Sequence, residues 1–138
     1  MDSLFTIKNS TGGTVEPMGS AFADLGWAHG FVYPCEQAAL IFGNNRKIPV
    51  VFRPVVSVRK DGGRAVVLPC TTKDHATDPE FFELVNDVDV HWTKPWDGRR
   101  TFACRRYEVL DPGHLRKEVG LMSHSARIKL ADWLKERW

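Results

Sequence analysis

Two apolar, β-branched runs joined by a glycine turn constrain this chain more than any other feature. The first is Phe52-Arg53-Pro54-Val55-Val56-Ser57-Val58; the second is Ala65-Val66-Val67-Leu68-Pro69-Cys70-Thr71-Thr72. Lys60-Asp61-Gly62-Gly63 between them is a hairpin signal, because glycine accepts the positive φ of a tight β-turn. Strands usually end in inert turn residues. Here an arginine opens the first strand and a pair of hydroxyls closes the second. A fixed cation and two hydroxyls meeting at one rim is what a phosphate-handling site needs. Pro49 and Pro54 each remove a ladder donor, so the first strand is expected to be an edge, or bent or bulged at those points.

The rest of the chain reads as short strands with turns. Phe31-Val32-Tyr33 is β-forming and is expected to stop at Pro34. Gly43-Asn44-Asn45 marks a bend. Residues 81–85 and 88–92 suggest a second hairpin turned at Asn86-Asp87. Pro95-Trp96-Asp97-Gly98 is a turn, residues 101–110 a further strand, and residues 114–118 a short helical turn. The clearest helix comes last. Ser123 is its expected N-cap. Ala126, Leu130, Trp133 and Leu134 share one face at helical spacing, with Lys129, Asp132, Lys135 and Glu136 on the other. The pattern predicts a mainly β domain: a small, partly open β-barrel or sheet capped by a C-terminal helix. Residues 1–28 read as an N-terminal arm or extension, and 29–138 as the barrel domain.

At 138 residues, one domain with a real core is expected. No apolar run is long enough for a membrane span, and the N-terminus lacks a signal-peptide pattern, which points to the cytoplasm. The net charge of +2 is unevenly spread: residues 94–138 carry 11 Lys/Arg against 6 Asp/Glu. A basic C-terminal part suits an anionic polymer, and equally a solvated surface of mixed sign. Cys35, Cys70 and Cys104 are odd in number and far apart, so buried thiols are expected rather than a zinc site or disulfides. Arg105 and Arg106 beside Cys104 leave a nucleophilic thiol as a lesser option.

Four landmarks, in order, resemble the MazF/PemK/Kid family of toxin endoribonucleases, as a divergent member. Gly30-Phe31-Val32-Tyr33 is similar to the family's opening strand, and Arg53-Pro54-Val55-Val56 to its Arg-Pro-Val segment. Val67-Leu68-Pro69-Cys70-Thr71-Thr72 is similar to its third strand. Residues 103–111, then Leu115, Val119-Gly120, Met122 and the helix, resemble its C-terminal half. Ala103 and Arg105 stand where Kid-like members carry Arg and Asp. The resemblance implies an SH3-like β-barrel, a homodimer with an RNA groove, metal-independent cleavage of single-stranded RNA without a cofactor, and an antitoxin protein as partner. A related group on this fold poisons gyrase, so a non-catalytic module that binds a protein, or a regulator, is the alternative.

Metal-free RNA cleavage sets the 2′-hydroxyl against the adjacent phosphate. It needs a base, an acid and a cation on the developing charge. By the resemblance, Arg53 supplies the cation and Thr71 a hydrogen bond to the phosphate. A guanidinium keeps its charge and offers a planar fork to phosphate oxygens. His75, four residues after Thr71 in a polar loop, is the candidate for proton transfer; an exposed histidine without a role is the plainer reading. Glu36 and Asp74 are lesser candidates. His91 reads as structural, and His29 and His114 flank turns. Thr72, Arg105, Arg106, Trp96 and Arg46 are the candidates for RNA binding. Arg105 and Arg106 would alternate across a strand, so that only one faces the groove. Trp92 reads as core, whereas Trp96, near Lys94 and Arg99-Arg100, reads as an exposed stacking residue.

Overall fold

A computed structural model describes residues 30–45, 50–93 and 100–135. The expected arm over 1–28 and the turn at Pro95-Trp96-Asp97-Gly98 lie outside the described residues, as do Arg46, Pro49, Trp96 and Trp138. Eight strands are described: β1 (Phe31–Glu36), β2 (Phe52–Asp61), β3 (Arg64–Thr71), β4 (Phe81–Leu84), β5 (Val90–Trp92), β6 (Thr101–Cys104), β7 (Glu108–Leu110) and β8 (Gly120–Met122). One α-helix, α1 (His124–Lys135), follows them. The strands run β4-β6-β3-β2-β1-β8-β5, with β7 also on β3. The sheet curls into a nearly closed barrel, and the mainly β architecture with a C-terminal helix is the one expected.

The β2–β3 hairpin is the spine. Both strands are buried on both faces, which is why they are continuously apolar instead of alternating. Val56, Val58, Val66, Leu68 and Cys70 face one core with Leu130 and Leu134 of α1. Val55, Ala65 and Val67 face a second, with Cys35, Leu40 and Leu110. Gly62 and Gly63 hold φ of 56° and 85° at the turn.

Proline is handled differently from the sequence expectation. β1 does not stop at Pro34 but runs on to Glu36, and β2 is a central strand. Pro34 and Pro54 lie opposite each other, so neither owes the other an N–H. The irregularity in β2 is a shift in register between Ser57 and Arg59, not at Pro54 as expected. The β2–β3 ladder ends at Val55↔Pro69. The next residue, Pro54, has no N–H to give.

The second predicted hairpin does not form. β4 pairs with β6 and β5 with β8; between β4 and β5, Asn86 and Val90 make only a parallel bridge. Asp89 is the reason. Its buried carboxylate accepts the Val85 N–H and the Lys129 ammonium, each at 2.9 Å, and its carbonyl accepts the Ser123 N–H at 2.9 Å. The loop turns tightly on itself, the Val85 carbonyl accepting the Asp89 N–H at 2.8 Å, and is also tied to α1. Ser123 caps the helix as predicted, its Oγ accepting the Ala126 N–H at 3.1 Å. Ala126, Leu130 and Leu134 are buried, and Trp133 packs on Phe82 with ring centroids 5.5 Å apart. Among the described residues, no helix is long and apolar enough to cross a membrane.

Candidate functional site

The site is built where β2 begins and β3 ends. Arg53 lies on β2 and is 6% exposed. Its Nε–H donates to Gln37 Oε1 at 2.7 Å, and an η nitrogen donates to the Cys70 carbonyl at 3.0 Å. In register, Cys70 is the residue opposite Pro54, whose missing N–H leaves this carbonyl to the guanidinium. The carbonyl belongs to the peptide that leads into Thr71. The guanidinium thus ends beside the backbone of the residue that precedes Thr71.

A loop covers the guanidinium. The Phe42 ring lies 4.9 Å from the Arg53 guanidinium carbon. Gly43 has φ 79°, and a Cβ there would lie 2.4 Å from an Arg53 η nitrogen. Only glycine lets the backbone come so close. Phe42 meets Phe81 edge-on at 6.4 Å, and Phe81 stacks flat on His75 at 3.7 Å. Arg53 and His75 are therefore ends of one series of ring contacts, Arg53–Phe42–Phe81–His75.

His75 also turns its ring toward Phe102 at 6.2 Å, and its Nδ1 lies 3.5 Å from Asp78. Stacking, more than that long ion pair, orients the imidazole. Thr71 Oγ1 accepts the Lys73 N–H at 3.1 Å, which holds the hydroxyl while leaving it a proton to donate. Thr72 is half-buried beside it.

The other candidates separate. β6 ends at Cys104, so Arg105 and Arg106 stand in a bend and the alternation argument does not apply. Arg105 pairs with Glu80, whereas Arg106 is exposed. Arg46 and Trp96 lie outside the described residues. Asp74 caps the Ala76 N–H at 2.9 Å and sits 3.6 Å from Arg100, which is doubly bonded to Glu83. Trp92 packs against the first core and donates to Asn86 at 2.7 Å, as its core reading required. His91, read as structural, is exposed.

The three cysteines are buried free thiols. Burial raises all of them, Cys35 to about 11 and Cys70 to about 12. Cys104 is also raised, burial outweighing the Arg106 and Arg105 charges. That removes the nucleophilic option, since the thiolate is the reactive form.

Glu36 belongs to a separate cluster. His114 Nδ1 lies 2.7 Å from its carboxylate, and Arg116 binds the other oxygen. These bonds, His114's first, hold the Glu36 carboxyl below its ordinary value. A carboxylate depressed in the folded state stabilises above its unfolded value and loses that contribution as pH falls through the folded one. Wild type is therefore expected to be more stable than Glu36→Gln at neutral pH. The gap should close as pH drops below about 4.3. Thermal melts of both proteins from pH 7 to 3 test this, and a gap that stays constant would contradict it.

Sequence reasoning missed Gln37, Phe42, Phe81, Phe102 and Glu108. Gln37 and Phe42 lie in a stretch read as a connection. No spacing rule flags a residue that acts by stacking on a distant strand.

No protein-family model matches the chain, and no curated protein matches it in sequence. Its shape does find relatives among solved structures. The Mycobacterium tuberculosis toxin MazF-mt6 superposes with a TM-score of 0.54 at 12% identity, over 77% of this chain and 93% of that one. A second structure, of an Mtb toxin, gives a TM-score of 0.50 at 17% identity, over 67% of this chain and 100% of the other. The chain has a MazF-like fold at low sequence identity.

Proposed function

We propose that this chain, on its MazF-like toxin fold, is a metal-independent endoribonuclease that cuts single-stranded RNA. It acts as the toxin of a type II toxin–antitoxin pair, as a homodimer in the cytoplasm, with an antitoxin protein as its partner. The observation that carries the reading is the bond from Arg53 to the Cys70 carbonyl at 3.0 Å, one residue before Thr71. It supports a guanidinium and a hydroxyl acting on the same ribose–phosphate linkage.

In this mechanism Arg53 stabilises charge on the phosphate oxygens as the 2′-hydroxyl attacks. Fixed by Gln37 and Cys70 before substrate arrives, it needs no reorganisation during the reaction, which is where preorganised charge has its value. Thr71 donates its hydroxyl proton to a phosphate oxygen as a hydrogen bond. His75 takes the 2′ proton or returns one to the leaving 5′-oxygen. Thr72, Arg106 and Arg105, with Trp96 and Arg46, bind the flanking nucleotides. The residues 29–138 form the catalytic domain, with 1–28 an extension of it.

The test is direct. Purified protein is expected to cut a panel of single-stranded RNAs in EDTA, leaving 2′,3′-cyclic phosphate ends, and His75→Ala should change the pH–rate profile. No cleavage across the panel would end the reading. One observation favours a second reading, a protein-binding module without chemistry: Arg53 is only 6% exposed. Toxicity that survives the loss of Arg53 would select that module.

A further inference from the structure

We infer that Glu108 is a positioning residue for Arg53, acting across the barrel through the Phe42 loop. Its catalytic meaning rests on the nuclease reading; its structural meaning does not. Glu108 lies on β7. Its two carboxylate oxygens accept the Ile41 N–H at 2.8 Å and the Phe42 N–H at 2.9 Å. Two consecutive backbone amides on one carboxylate make a rigid, charge-assisted clasp.

Phe42 is held from its other side as well. Its carbonyl accepts Gln37 Nε2–H at 2.7 Å, and Gln37 Oε1 accepts the Arg53 Nε–H at 2.7 Å. The two bonds set the orientation of the Gln37 amide, since nitrogen must face the carbonyl and oxygen the guanidinium. The chain of contacts is continuous: Glu108, the Phe42 backbone through its N–H and its carbonyl, Gln37, Arg53, Cys70. The Phe42 ring and Gly43 then close on the guanidinium.

Beyond these, the loop is held by the Asn44 N–H on the Ile41 carbonyl at 3.1 Å and by the Phe42–Phe81 ring contact. Leu40 is buried in the second core, but Ile41 is 76% exposed. Without the clasp, the Phe42 carbonyl is free to leave Gln37. The Gln37 amide loses its fixed orientation, and the Arg53 Nε–H loses its acceptor. The Glu108 carboxylate is taken up by the Ile41 and Phe42 amides, so its effect on the reaction is indirect.

The experiment uses ¹⁵N-labelled full-length protein, with the Arg53 Nε–H resonance assigned by its loss in Arg53→Lys. In wild type this proton is expected to exchange slowly. In Glu108→Ala its exchange should accelerate about 10-fold or more, as expected for local rather than global opening, while the Val66 amide in the core stays protected. Glu108→Gln keeps one acceptor and should fall between; it also decides the matter if the alanine variant does not fold. In RNA cleavage, kcat should fall about 10- to 100-fold, the scale of a small misplacement, with KM nearly unchanged. An Arg53 Nε–H equally protected in a folded Glu108 variant overturns the inference, as does a loss of protection shared equally by Val66. If wild type cuts no RNA, the nuclease reading fails, and the exchange measurement still decides the role of Glu108.

Discussion

Replacing Arg53 with lysine is expected to slow RNA cleavage by about 100- to 1,000-fold, the usual cost of losing one preorganised donor at a developing charge. Lysine keeps the positive charge, so the loss isolates what the planar fork does. The guanidinium donates to Gln37 and to the Cys70 carbonyl while lying against the Phe42 ring. Lysine carries all its donors on one nitrogen and does not reproduce the spread of Nε and Nη donors that reach the two acceptors. The same change should cost about 1–3 kcal/mol of stability, because a buried acceptor is left without its donor. Urea denaturation measures the second effect, and an unchanged m-value would show that the barrel itself persists. Truncation to alanine should cost more, leaving both acceptors bare in a dry site. Lysine at wild-type activity would remove Arg53 from the chemistry.

The largest loss of stability is expected from Phe102→Ala, about 3–5 kcal/mol for emptying so large a buried site. Phe102 is 1% exposed and the bulkiest fully buried side chain described. It lies on β6, opposite Thr71 on one side and Glu83 on the other. Its ring also meets His75 at 6.2 Å and the Arg100 guanidinium at 5.2 Å. Core and site therefore share this residue, and the cavity should loosen His75 as well as the barrel. Phe102→Leu, which keeps most of the volume, should cost closer to 1 kcal/mol. Paired denaturation curves, with the His75 resonances followed by NMR, check both effects. A cost below about 1 kcal/mol for alanine would mean that the site collapses around the gap.

How far the sequence could be read depended on range. The β2–β3 hairpin, the helix and its Ser123 cap were legible because each is specified by neighbours within a few residues. Arg53, Thr71 and His75 were legible as candidates because the residue types suit phosphate chemistry and, for the first two, because their positions resemble a known family's. The predicted hairpin over 81–92 failed for a non-local reason: Asp89 bonds to Lys129 and Ser123, residues no turn rule considers. Reading Arg105 and Arg106 as alternating strand residues failed because the chain bends after Cys104. Pro34 and Pro54 looked like strand breakers one at a time, and are harmless as a facing pair.

Residue order alone therefore decided where the helix begins, which runs are apolar enough to be buried, and that a cation and hydroxyls stand at strand ends. Those are matters of local backbone preference and side-chain hydration. Tertiary structure alone decided what surrounds the cation: Gln37 and Cys70 on its nitrogens, Phe42 on its face, and Glu108 clasping the loop from 66 residues away. Hydrogen bonds and ring contacts of that reach depend on angles and separations to within about an ångström, and only the closed barrel supplies them.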